Sequence, residues 1–168
     1  FKDVYLDLGL SASYDDLRTD NSASASLKKQ EGTFGEFSAN YGFNYDLRDR
    51  VFMPTSGSIT TFSQSLPVYA DKKFIANTFA RSMYKSLNEN VVGSAKVYLS
   101  SINGIGDDHV RLSKRRNIST TRLRGFEKGK VGPVDGNDHI GGNYAAALNL
   151  ETNLPNLLPE NYNADAVL

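Results

Sequence analysis

The 168-residue chain has no cysteine, no tryptophan and two methionines, and its nineteen basic and nineteen acidic side chains cancel. Without cysteine there is neither a disulfide nor a thiolate metal centre. With no net charge, no basic field is available to hold nucleic acid and no acidic tail to stay solvated. No apolar run approaches the eighteen or so residues that a membrane helix needs, so a helical membrane protein is excluded. A signal peptide is also missing. Because the chain opens at Phe1 inside a strand-like pattern, it is read as a piece of a longer protein and not as a cytoplasmic one. Aromatics, by contrast, are plentiful, with nine Tyr and nine Phe. None of the exclusions touches a β-barrel.

The dominant pattern is alternation with a period of two, which identifies strands. Val4, Leu6, Leu8, Leu10, Ala12 and Tyr14 fall on one face, against Asp3, Tyr5, Asp7, Gly9, Ser11, Ser13 and Asp15. After a polar connection over 17 to 32, Phe37, Ala39, Tyr41, Phe43 and Tyr45 alternate with Glu36, Ser38, Asn40, Asn44 and Asp46. A Pro- and Gly-bearing turn, Met53-Pro54-Thr55-Ser56-Gly57, precedes a third strand over about 58 to 69, whose faces are poorly sorted. In the fourth, Phe74, Ala76, Thr78, Ala80, Ser82 and Tyr84 oppose Lys73, Asn77, Arg81 and Lys85. The charge on one face assigns that face to water and the Phe74–Tyr84 face to lipid, with those two aromatics marking the two membrane borders. A fifth strand starts after Asn88-Glu89-Asn90; a sixth carries Tyr144, Ala146, Leu148 and Leu150 opposite Asn143, Asn149 and Glu151; a seventh begins near 163. Between the fifth and sixth, regular alternation stops from about 105 to 141.

These strands exceed the five or six residues usual in soluble sheets and suit a tilted membrane crossing. Long connections alternate with tighter turns, as in outer-membrane barrels, with the short link at Asp71 as the exception. The fold class is therefore all-β: an antiparallel transmembrane β-barrel fragment of about seven strands. A soluble β-sandwich is the rival, and it would hide Tyr41 and Phe43 beneath a second sheet. An open sheet edge is not tolerated in lipid, so further strands are expected on both sides.

Within 105–141 lies Leu123-Arg124-Gly125-Phe126, followed by Val131-Gly132-Pro133 and then Ile140-Gly141-Gly142-Asn143. In this order between two alternating strands, the set resembles the large-loop signature of the BamA family, the bacterial surface antigens that assemble outer-membrane proteins. Tyr45-Asp46-Leu47-Arg48-Asp49-Arg50 through Pro54-Thr55-Ser56-Gly57, with Asp49, Pro54 and Gly57 as its marks, resembles the family's periplasmic turn, and Leu154 to Glu160 resembles the next one. One stretch departs from the pattern: Asn117-Ile118-Ser119-Thr120-Thr121 stands where relatives often have an aromatic and paired glycines.

The resemblance implies a sixteen-stranded barrel in a bacterial outer membrane, with POTRA domains preceding it and a loop folded into the lumen. It implies a non-enzymatic insertase without cofactors, whose clients are unfolded outer-membrane proteins and whose accessory lipoproteins bind through other regions. A TamA-like barrel or a secretion translocator is the alternative. The loop tip suits an anchoring role: Arg124 offers a charged fork of donors, Gly125 a tight turn and Phe126 a rigid apolar face. Glu151, on the polar face of the sixth strand, is the expected ion-pair partner of Arg124. A second acid is expected beyond Leu168. His109 beside Asp107 and Asp108, and His139 beside Asp138, lack a third ligand at a metal spacing, so no metal is assigned. The run Lys114-Arg115-Arg116 reads as a solvated cluster, with lipopolysaccharide phosphates as its other reading.

Overall fold

The computed structural model describes residues 3–154 and 166–167. Five long strands follow one another as an antiparallel meander: β1 (Val4–Leu17), β2 (Gly32–Asp46), β3 (Ser56–Ala70), β4 (Phe74–Asn88) and β5 (Val91–Gly104). A short hairpin, β6 (Val134–Asp135) with β7 (Asp138–His139), lies inside the next connection. The main sheet then resumes with β8 (Tyr144–Leu154) and β9 (Ala166–Val167), in the order β1-β2-β3-β4-β5-β8-β9. At about 3.3 Å per residue and a tilt near 40°, strands of this length rise roughly 35 Å, more than the apolar band of an outer membrane.

The connections sort to two ends. One end carries 47–55 and the two-residue link 89–90; the other carries 18–31, 71–73 and 105–143. A single helical turn, α1 (Ala25–Lys28), interrupts the first long connection, which the sequence pattern shows only as polar. The turn resembling a second periplasmic one, Leu154 to Glu160, lies beyond β8 and, after Leu154 itself, outside the described residues.

Residues directly opposite in an antiparallel pair share a face, so the register sorts the whole sheet. One row runs Asp7↔Gly42↔Ser63↔Thr78↔Ser100↔Ala145, and the next runs Leu8↔Tyr41↔Gln64↔Asn77↔Ser101↔Tyr144. The first row faces the loop 105–143. Glu36, Tyr98 and Glu151 belong to that inner face and all touch loop residues. The second row faces away, and Leu8, Phe43, Leu148 and Leu150 are exposed there. Tyr41 and Phe43 lie on this outer face, with rings 6.0 Å apart, and among the described residues no second sheet covers them. This is the geometry of a barrel wall with a filled interior.

The fourth strand departs from the sequence expectation. Phe74 is buried on the inner face with Ala76, Ile102 and the loop residue Val110, and Tyr84 shares that face. Arg81, exposed, and Lys85 point outward instead. The reason is what fills the interior. Where a folded loop packs inside the wall, the inner face needs apolar side chains, so charge on one face no longer identifies water.

The turn 47–55 is tightly specified. The Asp49 carboxylate accepts the Thr55 N–H at 3.0 Å, the Thr55 hydroxyl at 2.6 Å and the Ser56 N–H at 3.1 Å. The hydrogen bond from the Thr55 side chain, then those from the Ser56 and Thr55 backbone, bring its pKa down to about 2. Pro54 is buried beside it. Gly57 has φ +91, and a Cβ there would stand 2.0 Å from the Leu47 carbonyl oxygen, so no other residue fits.

Candidate functional site: the loop on the inner wall

The loop 105–143 enters the interior through an apolar step. Val110 packs on Phe74 and Ile102, and Leu112 follows in a single 3-10 turn (Leu112–Lys114) whose entry is held by the Gln30 side-chain oxygen, 2.7 Å from the Leu112 N–H. Arg111 is 4 % exposed. A cation so buried needs charge partners, and it has Asp15 at 3.1 Å and Glu36 at 3.8 Å, with the Phe34 ring 4.5 Å away. Lys114 joins the same two carboxylates, at 3.0 Å from Glu36 and 3.5 Å from Asp15. The run Lys114-Arg115-Arg116 is thus not simply solvated: its first member is bound to the wall.

Beyond this cluster the chain reaches the tip. Arg122 lays its guanidinium 3.8 Å from the centre of the Tyr98 ring on β5, and its carbonyl accepts the Asn149 side-chain N–H from β8 at 2.9 Å. Two strands therefore hold one residue. Arg124, two positions on, places Nη2 3.6 Å from Glu151 Oε1, but its side chain is 63 % exposed whereas that of Glu151 is 11 % exposed. The nearer partner of Glu151 is Lys96, with Nζ 2.5 Å from Oε2. Gly125 turns the chain at φ +82, and Phe126 is exposed.

The return path is pinned at its base. The Arg116 and Gly142 backbones exchange hydrogen bonds of 2.7 and 3.0 Å, drawing the two legs of the loop together beside Gly141. The Pro133 carbonyl, after Gly132, accepts the Ile140 N–H at 3.0 Å and so frames the β6–β7 hairpin. From that hairpin Asp135 and Asp138 accept the Ser26 and Ser24 N–H groups, at 3.1 and 2.7 Å, which fixes the loop to α1. The Asn143 carbonyl accepts the Ile102 N–H at 2.8 Å, where β8 begins. Sequence reading named Arg124, Glu151 and the glycines and passed over Arg122, Tyr98, Lys96 and Arg111. A tyrosine on the polar side of an alternating strand was the available signal for the first of these.

Among the described residues no group of three His, Cys, Asp or Glu is gathered as a metal site. The arrangement consists of ion pairs, a cation–π contact and backbone hydrogen bonds. What it does physically is seat a long loop against the inside of a wall.

A model of the Omp85 superfamily domain matches residues 2–165. A SAM50-like protein of Schizosaccharomyces pombe is 26% identical over 140 residues, covering 79% of this chain and 30% of that protein. Sorting and assembly machinery component 50 homolog A of Xenopus laevis is 26% identical over 138 residues, with the same coverage of 79% and 30%. The chain thus spans less than a third of the curated relatives it matches. The crystal structure of BamA from Haemophilus ducreyi lacking POTRA domains 1-3 superposes with a TM-score of 0.84 at 23% identity, over 99% of this chain and 39% of that one. That likeness concerns the fold. The family match covers nearly the whole sequence, and on it the chain belongs to the Omp85 superfamily.

Proposed function

We propose that this chain is the wall-and-loop part of an assembly factor in a bacterial outer membrane, which inserts other β-barrels without covalent chemistry. The observation that carries the reading is the Omp85 domain match over residues 2–165. The names of both curated relatives support assembly over secretion or a TamA-like role, since one is called a sorting and assembly machinery component and the other is likened to that protein.

In this reading, unfolded outer-membrane proteins are the clients. They arrive with unpaired strand edges, and a barrel lowers the barrier to their insertion by offering an edge that pairs with them. The pairing seam lies between the first and last strands of the complete barrel, outside this chain. Accessory lipoproteins act through regions outside it as well. The contribution of this chain is a wall whose interior is held by the loop, through Arg122 on Tyr98 and Arg124 near Glu151. A barrel with a seated loop keeps its shape while its seam opens.

The test uses the full-length protein in lipid vesicles with a urea-unfolded client barrel, following the client's heat-resistant form on gels. Vesicles with the protein should fold the client faster than empty vesicles, and Arg122→Ala with Arg124→Ala should abolish most of the gain while the factor's own barrel stays heat-resistant. An unchanged client rate in protein-containing and empty vesicles would overturn the proposal.

A further inference from the structure

The outer face is not uniformly apolar. On β1 it presents Val4, Leu6, Leu8, Leu10 and Ala12, and on β8 Ala146, Leu148 and Leu150. On β4 it presents Ile75, Asn77, Phe79, Arg81, Met83 and Lys85, a polar residue at every second place. Asn77 is accounted for, because its side chain accepts from Gln64 at 2.5 Å and donates to Ser101 at 3.2 Å. Arg81 and Lys85 are not. No ion pair or hydrogen bond of either side chain occurs among the described residues.

A cation on the lipid side of a barrel strand is costly at mid-membrane and tolerated toward the interface, where it meets headgroups. Lys85 lies toward the turn end, whereas Arg81 is the eighth of the fifteen residues of β4 and reaches the same level by running its long stem toward the turn. Lys85 pairs with Ser56, the first residue of β3. Along the membrane normal, Arg81 and Lys85 are about 10 Å apart, a gap that two long side chains close from opposite directions. Between them on β4 stands Met83, 39 % exposed, flanked by the small Ser58 on β3 and Ala95 on β5. The surface there is cationic on either side of one apolar side chain. No Asp or Glu stands on the outer face of the long strands except Asp16, at the other end, next to Arg18.

We propose that Arg81 and Lys85 hold the phosphate of a membrane phospholipid in the leaflet at the turn end of the barrel, with Thr60 and Ser58 beside it. A phosphate suits the pair, because it offers several acceptor oxygens to a guanidinium fork and an ammonium at once. Lipid is the occupant because this face is turned away from the loop-filled interior and is continuous with the apolar outer faces of β1 and β8. The inference rests on the fold and the register and is independent of the assembly reading.

The full-length protein, purified in a phosphate-free maltoside detergent, is given phosphatidylglycerol and washed. Retained lipid is counted by native mass spectrometry, and barrel integrity by heat-resistant migration. Wild-type protein should keep one phosphatidylglycerol that Arg81→Leu loses about tenfold more readily, with Lys85→Leu weaker in effect and Arg81→Lys largely restoring retention. A glycolipid without phosphate should not be retained, and millimolar inorganic phosphate should not displace the lipid. Equal retention by Arg81→Leu and wild type would overturn the proposal. So would photo-crosslinking from position 83, in native membranes, that captures an acidic protein partner in place of lipid.

Discussion

The Lys96 ammonium on β5 lies 2.5 Å from the Glu151 carboxylate on β8, nearer than the loop cation Arg124 at 3.6 Å. Glu151 therefore belongs first to the wall and second to the loop. Both cations are partly exposed, Lys96 at 38 % and Arg124 at 63 %, so each pair contributes about 0 to 1 kcal/mol, with the closer and less exposed Lys96 pair the larger. Double-mutant cycles on chemical unfolding should give a larger coupling for Lys96→Gln with Glu151→Gln than for Arg124→Gln with Glu151→Gln. The reverse order would contradict this ranking.

The loop's main hold near its tip is Arg122. A cation–π contact contributes about 0.5–2 kcal/mol, and the Asn149 hydrogen bond to its carbonyl adds about 1 kcal/mol. Arg122→Ala, or Tyr98→Leu, should expose residues 117–130 to limited proteolysis several times faster than Arg124→Ala does. Equal protection in all three would show that the loop is held elsewhere.

At the loop's entrance Phe74, Ile102 and Val110 form the apolar step. Truncating a buried phenylalanine costs about 3–5 kcal/mol. Phe74→Ala should therefore lower the thermal transition of the barrel in detergent and loosen the loop, while Phe43→Ala on the outer face should change either measurement little.

The turn after β2 has a pH signature. The Asp49 carboxyl is held at about 2, below its ordinary 3.8. Its folded pKa is depressed, so the stabilisation is complete above about pH 4 and is lost as the pH falls through about 2. Relative to the intrinsic rate at each pH, amide protection at Thr55 and Ser56 should fall as the pH drops through that window and stay level above it, and Asp49→Asn should remove the dependence. Gly57→Ala, which forces a Cβ onto the Leu47 carbonyl at φ +91, should destabilise the same turn by more than about 1–2 kcal/mol at every pH.

Much of this was legible in the residues. The alternation in β1 and β2 located both faces, because one side of each strand is plainly apolar and the other plainly polar. The order Arg124-Gly125-Phe126, Gly132-Pro133, Gly141-Gly142 located the loop and its family. β4 was misread for a physical reason: its inner face packs on Val110 and its outer face carries Arg81, so polarity is inverted relative to an empty, watery barrel. Arg111 escaped notice because a buried ion pair joins residues far apart in sequence and no local pattern announces it, and Arg122 because its one signal, Tyr98 on the polar side of β5, lies on a different element. The helical turn α1 is four residues long, too short for any periodicity to show.

The central claim is that the face bearing the loop is the interior of a barrel and the opposite face meets lipid. Spin labels placed one at a time at Phe43→Cys, Asn44→Cys and Thr121→Cys in the full-length protein, reconstituted in lipid vesicles, test it by collision with oxygen and with a water-soluble nickel chelate. The label at 43 should meet oxygen freely and nickel hardly at all, the label at 44 should reverse that preference, and the label at 121 should be shielded from oxygen dissolved in the lipid. A label at 43 that collides with nickel as readily as the label at 44 would contradict the account.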